Sequence, residues 1–266
     1  MMDPFRVSEY VSVSFTLVFL TVAAISDLKT REVSDKVWLA YGPIGLALTI
    51  YRTYVDPSVL FFTAVSIGLS ILVAFGLVFF GLAGGADAKA LMCLGLTLPL
   101  SPGIVNPLLG FVHPFFPIVV LVTAYICSFS VAIWMLGKNL IMLAHLKSRM
   151  FEGLERGPAW KKGLALITGF PTSVAKLQST FYLYPMEKVV ENGNGAHRTL
   201  QMYSNVDVDR EQVLSEFTGS LKKVSPPNLV WVTPGLPLLV FILIALVITL
   251  LVGDPVFAGI FLLLRR

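Results

Sequence analysis

The residues in this chain best able to do chemistry are acids beside apolar runs: Asp27, Glu32, Asp35, Asp56, Asp87 and Asp254. An ionisable side chain at membrane depth is costly and is a functional candidate by default. Asp27 closes the first apolar run, and Asp87 opens a later one. Two carboxylates that approach each other do not both ionise cheaply, so one keeps its proton while the other stays charged. An acid and a base aimed at one point are what activation of a water for amide hydrolysis requires. Gly84 and Gly85 precede Asp87. Glycine permits close backbone approach or a positive φ, which would give a peptide strand room beside a helix start. These residues also carry an ordinary reading. An Asp after glycines is a common helix N-cap, and an Asp ahead of Lys29 and Arg31 is common interfacial solvation. Physical chemistry alone leaves both readings open.

Other chemistries find less support. There is no HExxH for a zinc protease and no GxSxG for a serine hydrolase. Cys93 and Cys127 sit inside apolar runs and read as small buried hydrophobes. His113, His145 and His197 fall in separate loops or helix ends and read as interfacial or surface residues. No cofactor or metal is implied.

These acids are carried by a strongly apolar chain. Of its 266 residues, 56% are hydrophobic and 14% charged, with a mean hydropathy of +0.80; soluble domains carry about 25% charged residues. Lipid must therefore serve as solvent for several segments. The net charge of +4 does not point to nucleic acid. Of 20 Lys and Arg, 12 lie between positions 138 and 223 among 8 acids, a mixed solvated surface rather than a basic stripe.

The pattern predicts an all-α polytopic membrane protein of about six transmembrane helices, with a small α+β cytoplasmic insert between the fifth and sixth. Apolar runs at 10–26, 37–51, 58–82, 87 to 98 or 100, 117–144, and from 234 or 237 to 252, with a continuation to Leu264 after the break at Gly253-Asp254-Pro255, are the candidate spans. A full crossing needs about 20 residues, so the fourth is short, and Gly42-Pro43 predicts a kink in the second. Residues 52–57 read as a loop, and 99–117, with five prolines, as an irregular connection. The expected organisation is a membrane domain over 1–144, an insert over 145–230 and a last span over 231–266. In the insert, strand-like runs at 179–190 and 197–205 flank a Glu-Asn-Gly-Asn-Gly turn. Asp209 with Gln212 predicts a capped helix running through Leu221. Lys and Arg concentrate in the loops after spans one, three and five. That bias predicts a multi-pass cell-membrane protein with those loops cytoplasmic, an uncleaved first helix with its N-terminus outside, and both Asp27 and Asp87 at the cytoplasmic face.

At these residues the sequence resembles a known family. Ile25-Ser26-Asp27-Leu28-Lys29-Thr30-Arg31-Glu32-Val33, followed by Asp35 and Trp38, resembles the first aspartate motif of type IV prepilin peptidases. Gly84-Gly85-Ala86-Asp87-Ala88-Lys89 is similar to their second, GxGD-type motif, with Ala86 at the usual third-position Gly. Trp231-Val232-Thr233-Pro234-Gly235-Leu236-Pro237, opening the last span, resembles the archaeal preflagellin and prepilin peptidases in particular. The resemblance implies a metal-free membrane aspartyl endopeptidase. It would remove the short basic leader from archaellin or type IV pilin precursors, with Asp27 and Asp87 as the catalytic pair. Methyltransferase activity is not implied, because the cysteine-rich region of the bifunctional members is missing. Gly84 and Gly85 would support substrate. Glu32 and Asp35 would attract the basic leader, or simply balance Lys29, Arg31 and Lys36. Lys89 would tune the pair or snorkel to the interface. Asp254 reads as a turn residue. Two rivals remain at this stage: a small proton- or cation-coupled transporter using intramembrane carboxylates, and a membrane-anchored binding module. Oligomeric state is open.

Overall fold

The computed structural model describes residues 3–103, 108, 110, 112–146, 150–154, 158–192, 195–201, 210–222, 224 and 228–264. In chain order the helices are α1 (Pro4–Thr30), α2 (Asp35–Val55), α3 (Leu60–Phe79), α4 (Gly85–Thr97), α5 (Phe116–Leu146), α6 (Ala159–Thr168), α7 (Val174–Ser179), α8 (Arg210–Leu221), α9 (Leu238–Val252) and α10 (Pro255–Leu264). Among the described residues five strands join them: β1 (Phe170–Thr172), β2 (Leu183–Pro185), β3 (Glu187–Asn192), β4 (Gly195–Leu200) and β5 (Val230–Pro234). The chain divides into two compact units, residues 1–128 with 237–266, and residues 129–236.

The first unit is inside-out by the standard of a soluble protein. On α1 the buried residues are Ser8, Glu9, Ser12, Thr16, Leu20, Ala23 and Ala24, while Val11, Val18, Val22 and Ile25 are exposed. On α3 the buried face is Thr63, Ser66, Ser70 and Ala74, and Phe61, Phe62, Leu72 and Phe75 face outward. Small and polar residues between helices with large apolar ones outside is how helices associate when lipid is the solvent. Among the described residues, Pro4–Thr30, Pro57–Phe79 and Phe116–His145 are each long and apolar enough to cross a membrane. The pair α9 and α10, bent by 53° at Gly253-Asp254, makes a fourth candidate. The expected count of six therefore narrows to three or four by length and composition. At 13 residues, α4 rises only about 20 Å, short of a hydrocarbon core of about 30 Å. Polar and turn-forming residues such as Pro43, Thr49 and Arg52 dilute α2, which stays helical through Pro43.

The short helix is the hub. α4 packs against α1, α2, α3 and α9, and Ala88, Ala90, Leu91, Cys93, Leu94, Gly95 and Thr97 are buried. Close approach explains two glycines: a Cβ at Gly45 would collide with Thr97, and one at Gly95 with Ser70. Hydrogen bonds complete the packing, including Ser66 Oγ on α3 donating to the Pro99 carbonyl just past α4 at 2.5 Å. Arg52, expected in a loop, instead ends up buried in the last turn of α2.

In the second unit, β1, β5 and β2 form an antiparallel sheet with β5 in the centre, and β3 pairs with β4 as a separate hairpin. The hairpin register aligns Asn192 with Gly195 and Val189 with Arg198. Thus the turn expected at 191–195 is flanked by strands as predicted, while residues 193 and 194 lie outside the described set. The helix expected through Leu221 is α8; Asp209, its proposed cap, also lies outside. The Trp231 motif, expected to open the last span, is mostly strand: Val230–Pro234 is β5, and α9 starts at Leu238. A buried ion pair organises this unit. Arg198 Nη1 donates to Glu187 Oε2 at 3.0 Å, with side chains 8% and 0% exposed. Glu187 Oε1 accepts the Trp231 N–H at 2.7 Å. Arg198 also donates to the carbonyls of Leu229 and Glu152. The insert's charges are therefore not all a solvated surface, as composition suggested.

Candidate active site

Asp27 sits in the last turn of α1. The helix ends at Arg31, whose left-handed backbone (φ 60°) turns its N–H back onto the Asp27 carbonyl at 3.0 Å. The turn leaves the Asp27 side chain half-buried, within electrostatic reach of Arg31. Asp87 occupies the third position of α4. Its Oδ2 accepts the N–H of Gly84 at 3.0 Å, so this carboxylate reaches back and caps the helix start. Negative charge there is also favoured by the helix dipole. One oxygen of Asp87 caps the helix, and Oδ1 accepts no hydrogen bond among the described residues.

The two acids are brought into one neighbourhood. α1 packs on α4, and the Asp27 charge acts on Asp87. A third group joins them that the sequence reading missed. Tyr125 on α5 donates its hydroxyl to the Leu82 carbonyl at 3.3 Å and lies within electrostatic reach of Asp87. No motif flags a lone Tyr in an apolar helix.

The supporting residues fall out differently from expectation. Gly84 is extended (φ −75°, ψ 163°) and neither it nor Gly85 has a positive φ; the left-handed glycine of this turn is Gly81 (φ 66°). A Cβ at Gly85 would meet no atom within 4 Å, so the space beside the α4 start is open. Lys89 Nζ pairs with Asp35 Oδ1 at 2.6 Å, both side chains well exposed at 44% and 73%. Glu32 is exposed and makes no ion pair among the described residues. Asp254 is a turn residue as expected, its Oδ1 accepting the N–H groups of Val256 and Phe257 to cap α10. Among the described residues there is no group of three or more His, Cys, Asp or Glu placed to hold a metal.

A helical unit with several long apolar helices and apolar outer faces fits a multi-pass membrane protein. Comparison with known proteins agrees. Residues 14–136 match the model of the type IV leader peptidase family, and residues 161–255 match that of the archaeal peptidase A24 C-terminus, type II. The chain is 26% identical over 249 residues to the preflagellin peptidase of Methanocaldococcus jannaschii, covering 91% of this chain and 94% of that protein. It is 27% identical over 246 residues to the preflagellin peptidase of Methanococcus voltae, covering 90% and 94%. With that of Methanococcus maripaludis strain C6 the identity is 22% over 244 residues, covering 89% and 93%. The chain is a peptidase, similar to the type IV leader peptidase family over residues 14–136 and to preflagellin peptidases over about nine-tenths of its length. Both aspartate motifs fall inside the first matched segment, which favours proteolysis over the transporter reading.

Proposed function

We propose that this protein is a membrane aspartyl endopeptidase that removes the short basic leader from archaellin or type IV pilin precursors, with Asp27 and Asp87 as its catalytic pair. The observation that carries the reading is the placement of Asp87: a carboxylate at the α4 start, in reach of Asp27, beside the unfilled space at Gly85. The precursor's apolar segment lies in the bilayer beside α1 and α4, and its leader emerges at the cytoplasmic face. In the six-span plan α2 also lies within the membrane, its exposed apolar face (Leu39, Ile44, Ile50) toward lipid, and the short α4 is held among its neighbours.

The chemistry follows from two carboxyls sharing one proton. The ionised carboxylate takes a proton from a water as its oxygen bonds to the scissile carbonyl carbon. The protonated partner gives its proton to the carbonyl oxygen, forming a neutral gem-diol. Collapse of that intermediate breaks the C–N bond, the diol returning a proton to one carboxylate while the other protonates the departing amine. No metal is needed for these steps. Glu32, exposed beside Asp27, supplies a negative surface for the leader's Lys and Arg. Such exposed pairs contribute about 0–1 kcal/mol.

The test is leader removal from a precursor by membranes holding the protein, read as a gel shift. Asp27→Asn and Asp87→Asn each reduce the rate by about 10²–10⁴-fold, the usual size of a general acid–base contribution. Wild-type cleavage by either variant would sink the proposed mechanism.

A further inference from the structure

A second charged site lies in the membrane unit, built from residues the peptidase chemistry does not use. Glu9 on α1 and Arg52 on α2 are only 4% and 6% exposed. Together with Phe5, Thr49, Thr53, Asp56, Val59, Thr63, Pro99 and their neighbours they line a cavity of about 270 Å³. Glu9 and Asp27 are eighteen residues apart on one helix. Eighteen residues are five full turns, so the two acids share a face of α1 about 27 Å apart along its axis. The cavity is therefore far from the acid pair.

Each charge is partly anchored, and neither anchors the other. Glu9 Oε1 accepts the Gly103 N–H at 2.8 Å. Arg52 Nη2 donates to Thr49 Oγ1 at 2.7 Å and to the Thr97 carbonyl. The two feel each other electrostatically, but no ion pair joins them. Arg52 Nε is buried with no hydrogen-bond partner, and Glu9 Oε2 has none among the described residues. Two opposite charges held apart at the edge of one cavity leave each desolvated and incompletely compensated. A bare anion would satisfy Arg52 and be repelled by Glu9 and Asp56. A bare cation would do the reverse. A ligand with both charges, a few bonds apart, satisfies both.

We propose that this cavity binds a phosphate-ammonium headgroup, with the phosphate on Arg52 and the ammonium on Glu9. At about 270 Å³ the cavity lies just below the usual range of small-ligand pockets, about 300–1,000 Å³, a size that suits a headgroup. Phe5, Val59 and Pro99 supply apolar wall, as suits a lipid held at the membrane boundary. The same chemistry is available from a soluble headgroup, so source is an arm of the test.

The experiment uses the full chain, purified in detergent and stripped of lipid, and reads thermal unfolding. The ligands are short-chain phosphatidylethanolamine, short-chain phosphatidylglycerol and soluble glycerophosphoethanolamine. A saturable upward shift is expected with phosphatidylethanolamine and a shift about tenfold weaker in affinity with phosphatidylglycerol, the usual size of one lost charge-assisted hydrogen bond. Glu9→Gln keeps an acceptor for Gly103 and removes the charge; it should abolish that preference. Arg52→Gln should abolish the response to both lipids. If glycerophosphoethanolamine matches the lipid, the site stands with a soluble ligand; if the lipid alone shifts the transition, its source is the membrane. Should Arg52→Gln fail to fold, Glu9→Gln decides alone. Equal response of wild type to both lipids, a preference unchanged by Glu9→Gln, or no response at all overturns the proposal. Retained leader cleavage by Glu9→Gln would show that this outcome is independent of the peptidase assignment.

Discussion

Among the described residues two Glu and Arg combinations are buried, one in each unit, and they are solved in opposite ways. In the insert, Glu187 and Arg198 touch at 3.0 Å, and the remaining valences are taken by the Trp231 N–H and by backbone carbonyls. In the membrane unit, Glu9 and Arg52 are as deeply buried but stand apart on a cavity. The first arrangement is complete and organises a fold. The second leaves valence free toward a space. A buried charge by itself therefore says little about function; what its remaining hydrogen-bonding capacity faces says more. The same test applies to Asp87, whose Oδ2 caps a helix while Oδ1 is left over.

Arg198→Ala strands Glu187 in the core and should destabilise the second unit by about 3–5 kcal/mol, read by chemical denaturation of the intact protein in detergent. An effect below about 1 kcal/mol would mean that the pair is not the unit's organiser. Next in size is Gly45→Ala on α2. The added methyl meets Thr97 in a packed interface, and overpacking costs about 1–3 kcal/mol, read as a lowered melting temperature.

Glu187 also carries a pH signature. Burial pushes its carboxyl above the ordinary glutamate range, with the Arg198 charge and the Trp231 N–H pulling back. A raised acid binds its proton more tightly in the folded state. Its contribution to stability is thus fully present below the unfolded value of about 4.3 and is lost as pH rises through the folded value. Denaturation midpoints should fall across that window, and Glu187→Gln should flatten the slope. The smallest effect is at the surface. Lys89→Met removes an exposed ion pair with Asp35 and should change stability by no more than about 1 kcal/mol, with leader cleavage within about threefold of wild type; a loss as large as that of an aspartate variant would return Lys89 to the site.

Much of this was legible in the sequence, and the reasons are local. The Gly-Gly-Ala-Asp run marks a helix start, and the helix does begin at Gly85. The first and third helices were legible as long apolar runs, although polar residues line their inner faces. What was not legible depends on partners distant in sequence. Arg52 looked like a loop charge because the carbonyl that receives it, that of Thr97, is 45 residues away. Glu9 escaped notice because an acid near the start of an apolar run looks interfacial; its partner, Gly103, is 94 residues distant. The Glu187 and Arg198 pair was within reach. With Asn192 opposite Gly195, alternation places Glu187, Val189 and Arg198 on one face of the hairpin, and Val189 marks that face as inward. The prolines of the Trp231 motif precede an apolar run, which is the pattern of a helix head; pairing with β1 and β2 makes it a strand instead.

The central claim is that Asp87 serves chemistry with its charge and the fold with its capping oxygen, and one paired measurement separates the two. Asp87→Asn retains an oxygen for the Gly84 N–H, whereas Asp87→Ala does not. Leader cleavage and melting temperature are measured for both. The account predicts that both lose cleavage by at least about 10²-fold, while only Asp87→Ala also loses about 0.5–2 kcal/mol of stability with its cap. Cleavage by Asp87→Asn at the wild-type rate would contradict it, and would leave Asp87 a helix cap.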